Sequence, residues 1–148
     1  MSVRTILVGV DDSDGSRESL RWAADLAFDL GASIVVAHVF EPLAHLAELK
    51  PTADLRVLRQ RTEETLEEVV CKPLRQRNIP YSIRILQGLP AQALADAAEE
   101  AQADLIVVGA RRQGRFKDLV LGSTSKALPQ LTARPVTVVH LQGPASSA

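Results

Sequence analysis

Short apolar runs alternate along the chain with longer stretches of mixed character. Thr5–Val10 (TILVGV) is the first such run, and it gives way to Asp11-Asp12-Ser13-Asp14-Gly15, a cluster of turn and helix-capping residues. From Ser16 onward Leu20, Ala23, Ala24 and Ala27 recur at helical spacing, with Arg17, Glu18, Arg21 and Asp25 on the other side and Gly31 as the stop. Trp22 and Phe28 read as packing residues of this helix. Ser33–Val39 is apolar on both faces, the pattern of a parallel strand covered from above and below.

Phe40 to Thr52 contains Pro42 and Pro51 and keeps no period, so it reads as a long connection open to a functional or partner-contact role. Ala53 to Gln76 reads as the longest helix, with Leu55, Leu58, Leu66, Val69, Val70 and Leu74 inward. Its Glu63, Glu64, Glu67 and Glu68 lack an oxygen-rich loop and are better read as a solvated face than as a cation site. Pro80–Leu86 alternates in polarity, which suits a strand partly exposed on one face or lying at a sheet edge. Gly88-Leu89-Pro90 breaks the chain before an alanine-rich helix, Ala91–Ala101. Asp104–Gly109 is a fourth, buried strand, Ser123–Leu131 a helix, Pro135–Leu141 a fifth strand, and Gln142–Ala148 a small polar tail.

Strands separated by helices imply right-handed crossovers and a parallel sheet. The expected fold is an open α/β sandwich: five parallel strands in the order 3-2-1-4-5, with helices on both faces. The 148 residues, 46% of them apolar, suit a single domain spanning 1–148 with a core from about 4 to 141. A formal charge of −1 gives no global field to recruit nucleic acid or an anionic membrane. One cysteine, Cys71, excludes an internal disulfide framework and a multi-cysteine zinc site. It reads as a partly buried helix position rather than an oxidant sensor. His38, His45 and His140 show no ligand spacing, and a backbone contact near the sheet end is expected for His38. No apolar stretch is long enough to span a bilayer and no signal-peptide pattern opens the chain, so the cytoplasm is the expected location.

In such sheets ligands bind beyond the carboxyl ends of the strands, where the winding reverses. The order 3-2-1-4-5 puts that point between strands one and four. Asp11-Asp12-Ser13 then meets Gly109-Ala110-Arg111-Arg112-Gln113-Gly114-Arg115 and Leu121-Gly122-Ser123-Thr124-Ser125. Glycines 109, 114 and 122 allow positive φ and close approach of main-chain N–H groups, and Ser123 and Thr124 add hydroxyls at a helix N-terminus, a cradle for phosphates. Asp11 is the opposite pole, as acceptor for a nucleoside or as ligand of a divalent cation bridging phosphates. Arg111, Arg112, Arg115 and Lys117 form either a phosphate-facing patch or a solvated loop.

From Thr5 to about Leu141 the chain resembles the universal stress protein family. The resemblance rests on Ile6–Ser13 with Ser16, Ala37-His38-Val39, Gly88-Leu89-Pro90-Ala91, Asp104–Gly109, Leu121–Thr124 and Arg134–Val139. It implies a Rossmann-like fold, a role in stress adaptation, and a homodimer formed through the last strand, Val136–Leu141. An uncovered apolar edge makes such pairing physically sensible. The ATP-binding motif of the family, glycine, two residues, glycine, nine residues, then glycine with serine or threonine, is matched by Gly109, Gly122 and Ser123, whereas the middle glycine falls on Arg112. By resemblance Gly9, Val10, Asp11 and Val39 lie along the nucleoside, Gly109, Ala110, Arg111, Arg112, Gly122, Ser123 and Thr124 face ribose and phosphates, and Val108 belongs to the same nucleotide site. Asp11 is the implied contact to Mg2+.

The reading favoured is a dimeric switch that binds ATP with Mg2+ as a regulatory nucleotide and acts on an unidentified protein partner. No residue stands out as a general base, so efficient hydrolysis is not expected; slow ATP hydrolysis or autophosphorylation on Ser123 or Ser125 stays open. The alternative is an interaction protein of the same fold whose pocket Arg112 closes. A phosphorelay receiver is disfavoured by Gln87-Gly88 after strand three and His140-Leu141 after strand five, and a NAD-dependent dehydrogenase by the lack of G-x-G-x-x-G after strand one.

Overall fold

The computed structural model describes residues 2–11, 14–40, 55–110 and 122–140. Its strands are β1 (Thr5–Gly9), β2 (Ser33–Val39), β3 (Tyr81–Leu86), β4 (Leu105–Gly109) and β5 (Val136–Val139). They form one five-stranded sheet in the order β3-β2-β1-β4-β5, every neighbouring pair parallel. The helices are α1 (Asp14–Leu30), α2 (Leu55–Thr65), α3 (Lys72–Gln76), α4 (Pro90–Glu100) and α5 (Ser123–Leu131).

Alternation along the central strands distributes the core over both faces of the sheet. Ile6, Val8, Ile34 and Val36 point to one face, where they bury Leu20, Ala23, Ala24 and Ala27 of α1 together with Leu66, Cys71 and Leu74. Leu7, Val35, Ala37, Ile106 and Val108 point to the other, against Leu94, Ala95, Ala97 and Ala98 of α4 and Leu128 of α5. Alanines on α1 and α4 let these helices lie close on the strands. The sheet's floor is tied by Asp104, which accepts the main-chain N–H groups of Arg4 (2.9 Å) and Thr5 (3.1 Å). These two donors hold its carboxyl below the ordinary carboxylate range.

Three expectations are corrected. The helix expected over Ala53–Gln76 is divided: α2 ends at Thr65, a π-helical turn spans Leu66–Val70, and α3 follows. Pro73 has no N–H to continue the ladder, and the chain instead closes a wide turn in which Cys71 N–H donates to Leu66 O (2.8 Å). The extra residue rotates the face, so Leu66, Cys71 and Leu74 are buried while Leu55 and Val69 face solvent, Val69 being 62% exposed. Trp22 and Phe28 are also exposed, by 40% and 57%. Phe28 carries the Arg77 guanidinium over its ring at 4.7 Å rather than packing into the core. Glu67 is not merely solvated: it accepts from the Tyr81 hydroxyl and from Arg75 (3.3 Å), stapling the π turn to β3. Of the Phe40–Thr52 connection only Phe40 lies within the described residues; it is buried, with its N–H on Leu86 O (2.8 Å).

Candidate functional site

At the carboxyl edge of the sheet β1 and β4 are neighbours, with α1 packed on one face and α5 on the other, and a cleft opens between them. Its floor begins at Gly9. A side chain there would press on Leu94 Cδ1 at 3.1 Å and Val108 Cγ1 at 3.3 Å, so glycine lets α4 close against the end of β1. Val10 is fixed from β2: its N–H donates to Ala37 O (2.9 Å), and its carbonyl accepts from His38 Nδ1 (2.9 Å). A carbonyl can only accept, so the proton of His38 is on Nδ1. This is the backbone contact expected of His38.

Asp11 follows. Its N–H donates to Ser16 Oγ (2.6 Å), and the Ser16 hydroxyl donates to Asp11 Oδ1 (2.8 Å), so the first turn of α1 closes back on the strand end. Ser16 is buried, and its carbonyl accepts from the Ser19 hydroxyl (2.8 Å). Gly109 makes that turn possible from the β4 side. A Cβ on Gly109 would lie 2.6 Å from the Gly15 carbonyl oxygen, a separation that main-chain atoms cannot tolerate. The close approach expected of Gly109 is therefore to the backbone of α1.

The expectation of positive φ in the glycine cradle is corrected at Gly109, which does not adopt the left-handed region, and at Gly122, whose φ is −64° with an extended ψ of 165°. Among the described glycines the left-handed region is occupied by Gly31 and Gly88, which serve turns after α1 and before α4. Gly122 is the N-cap of α5 and makes no side-chain cap. Its carbonyl takes Lys126 N–H (3.0 Å) and the Ser125 hydroxyl (3.1 Å). The main-chain N–H groups of Ser123, Thr124 and Ser125 precede the first intrahelical bond and point out of the helix end, the arrangement that suits an anion.

Gly9, Val10, Asp11, Val39, Val108, Gly109, Gly122, Ser123 and Thr124 all line this cleft, as sequence reasoning brought them together. Ala110 does not. It is buried, and its N–H bonds Val139 O (2.9 Å), which makes it a strut between β4 and β5. Arg111, Arg112, Gly114, Arg115 and Lys117 lie outside the described residues. Ser125, part of the stretch expected to meet Asp11, lines the cleft too, and Ser16, Ala37, Pro90 and Leu94 line it without having been singled out as its walls. A serine five residues after a strand-end aspartate was a readable signal for Ser16. Pro90 and Leu94 reach the cleft across a layer, which spacing along the chain does not reveal.

Asp11 is the sole carboxylate among the described lining residues. One carboxylate opposite a set of N–H donors fits Mg2+ held jointly with phosphates, since this ion takes few protein ligands and completes its shell with phosphate and water oxygens. Among the described residues no three His, Cys, Asp or Glu side chains are grouped to hold a metal by themselves. Cys71 does not line the cleft: it is buried in the core, and burial pushes its thiol up to about 12, with Glu67 adding to the shift, so it stays an inert thiol.

Residues 2–140 match the model of the universal stress protein family. The chain belongs to this family. It is 34% identical to a universal stress protein of Thermus aquaticus over 93% of this chain and 98% of that one. It is 31% identical to the stress response protein NhaX of Bacillus subtilis, over 90% and 96% of the two chains. Among solved structures, the universal stress protein of Archaeoglobus fulgidus in complex with dAMP superposes with a TM-score of 0.68 at 25% identity, covering 93% of this chain and 98% of that one.

Proposed function

We propose that this universal stress family chain holds ATP in the β1/β4 cleft, with Mg2+, as a regulatory nucleotide in stress adaptation. The observation that carries the reading is the uncapped N-terminus of α5 at Gly122–Thr124 lining the same cleft as Asp11. The names of the Thermus and Bacillus relatives support the stress role, and the Archaeoglobus complex with dAMP supports an adenine nucleotide. In this assignment Gly9, Val10, Asp11 and Val39 bound the nucleoside, while Gly109, Gly122, Ser123 and Thr124 receive ribose and phosphates through main-chain N–H and hydroxyl donors. Bound Mg-ATP supplies a dense negative charge that complements those donors; the chain's own part is to orient it.

The chemistry that follows is binding rather than rapid turnover. Asp11 Oδ1 already accepts the Ser16 hydroxyl, which holds the carboxylate in place instead of freeing it to deprotonate a water. Ser125 is 3% exposed with its hydroxyl on Gly122 O, so of the two serine acceptors considered for autophosphorylation Ser123, which is exposed, is the accessible one. We assign the protein to the cytoplasm; among the described residues no helix is long and apolar enough to cross a membrane. The proposed assembly is a homodimer through β5, whose four residues are each half-buried at the sheet edge. Nucleotide occupancy would then bias a surface offered to a partner protein.

A second reading has one observation in its favour. The cleft encloses about 100 Å³ as its described residues line it, below the roughly 300–1,000 Å³ of most small-molecule sites. A chain with Arg112 in the glycine position would then act through protein contacts alone. Nucleotide released by acid from freshly purified protein separates the two. An adenine nucleotide near one per chain, lost in Asp11→Asn, supports the first reading; Asn keeps an acceptor for Ser16 while removing the charge. Protein equally free of nucleotide in both forms, and unable to take it up from added Mg-ATP, supports the second.

A further inference from the structure

A larger cavity opens on the other side of the Asp11–Ser16 partition, between α1 and the π turn. It encloses about 360 Å³, within the range of small-molecule sites. One wall is the α1 stripe Arg17, Leu20, Arg21 and Ala24; the other is Val69, Val70 and Pro73. The break in the helix creates this wall, because the wide turn carries Val69 outward and Pro73 ends the ladder. Thr65 and Arg77 also line it, and Val10, Asp11 and Ser16 are shared with the β1/β4 cleft.

The charges in this cavity are unequal. Arg77 is spent, bound to Asp25 at 2.6 Å and stacked on Phe28. Asp11 is turned to Ser16. Arg17 makes no ion pair among the described residues, and Arg21 reaches Glu18 only at 3.6 Å with its side chain 73% exposed, a contact worth little. Arg17 and Arg21 are four apart on one helix face, so two like charges share one wall of a largely apolar cavity. An anion placed between them relieves their repulsion and gains charge-assisted, two-pronged hydrogen bonds.

From this we infer that the α1/π-turn cavity is a second ligand site, for a small amphipathic carboxylate. The apolar body lies against Leu20, Ala24, Val69, Val70 and Pro73, and the carboxylate is held by Arg17 and Arg21. This inference does not rest on the nucleotide reading, because the residues that carry it are absent from the β1/β4 cleft.

The test is a calorimetric titration of the nucleotide-free full chain with 2-naphthoate, a rigid aromatic carboxylate that forms no micelles, alongside the neutral 2-naphthamide. The expected result is saturable one-to-one binding of naphthoate, with naphthamide at least ~10-fold weaker, the loss expected when a hydrogen-bonded charge is removed. Arg17→Gln combined with Arg21→Gln weakens naphthoate by at least ~10-fold. Val69→Glu does the same by placing a like charge in the wall. All three positions face solvent, and an unchanged thermal midpoint in each variant shows that the fold is retained. Absence of saturable binding to the wild type overturns the inference, as does equal affinity for naphthamide or for the double arginine variant.

Discussion

Gly109 and Gly9 both sit at strand ends under the cleft, yet their neighbours differ in kind. The Cβ of an alanine at 109 meets a main-chain carbonyl of α1 at 2.6 Å, while one at 9 meets the side-chain tips of Leu94 and Val108 at 3.1 and 3.3 Å. Backbone cannot yield as a leucine methyl can. Gly109→Ala is therefore expected to cost about 1–3 kcal/mol in urea unfolding, and Gly9→Ala less than about 1 kcal/mol; the reverse order would contradict this account of the junction. At the opposite end of the sheet, Asp104 has its pKa lowered by the N–H groups of Arg4 and Thr5. A carboxyl that is more acidic in the folded state contributes stability above its unfolded pKa and loses it as the pH falls through the folded value. Thermal melts from neutral to acid pH check this: the gap between wild type and Asp104→Asn narrows below about pH 4. A gap that stays constant would show that the charge plays no part.

The strands were legible as elements because a parallel sheet covered on both faces demands continuous apolar runs, and Thr5–Gly9, Ser33–Val39 and Leu105–Gly109 are such runs. Helix α5 was legible over Ser123–Leu131 because a glycine and two hydroxyl residues stand ahead of its apolar stripe. The division of the long helix was not. Apolar spacing continues through Leu66, Val70 and Leu74, and Pro73 is the single residue that forbids an unbroken ladder there. The outward turn of Val69 and the cavity beside it follow from that break, beyond what periodicity records. In the site, Asp11 and Gly122–Thr124 were readable from strand ends and cap chemistry, whereas Pro90 and Leu94 depend on how α4 lies over Gly9.

Edge strand β5 carries its own prediction. Ile106 N–H and Ala110 N–H donate to Pro135 O and Val139 O, so odd-numbered residues of β5 face β4 and Val136 and Val138 direct their main-chain groups outward. If β5 pairs with a second copy, Val138→Pro removes an outward donor while sparing the bonds to β4. Light scattering is expected to give a dimer for the wild type and a monomer for Val138→Pro; a dimer in both would move the interface elsewhere.

Across the whole molecule, the order β3-β2-β1-β4-β5 creates one switch point, and the two cavities flank the Asp11–Ser16 hydrogen bonds that close it. The sheet thus fixes Asp11 from one side and the end of α5 from the other, and a nucleotide bridging them would couple β1, α1 and α5 into one responsive unit. The proposed nucleotide binding turns on Arg112, which the resemblance aligns with a glycine of the family's ATP-binding motif. Titration of nucleotide-stripped protein with Mg-ATP by calorimetry tests this directly, with wild type and Arg112→Gly measured side by side. The account predicts saturable one-to-one binding by the wild type. No binding by the wild type, with binding gained in Arg112→Gly, would contradict it and leave a universal stress fold that works through protein contacts.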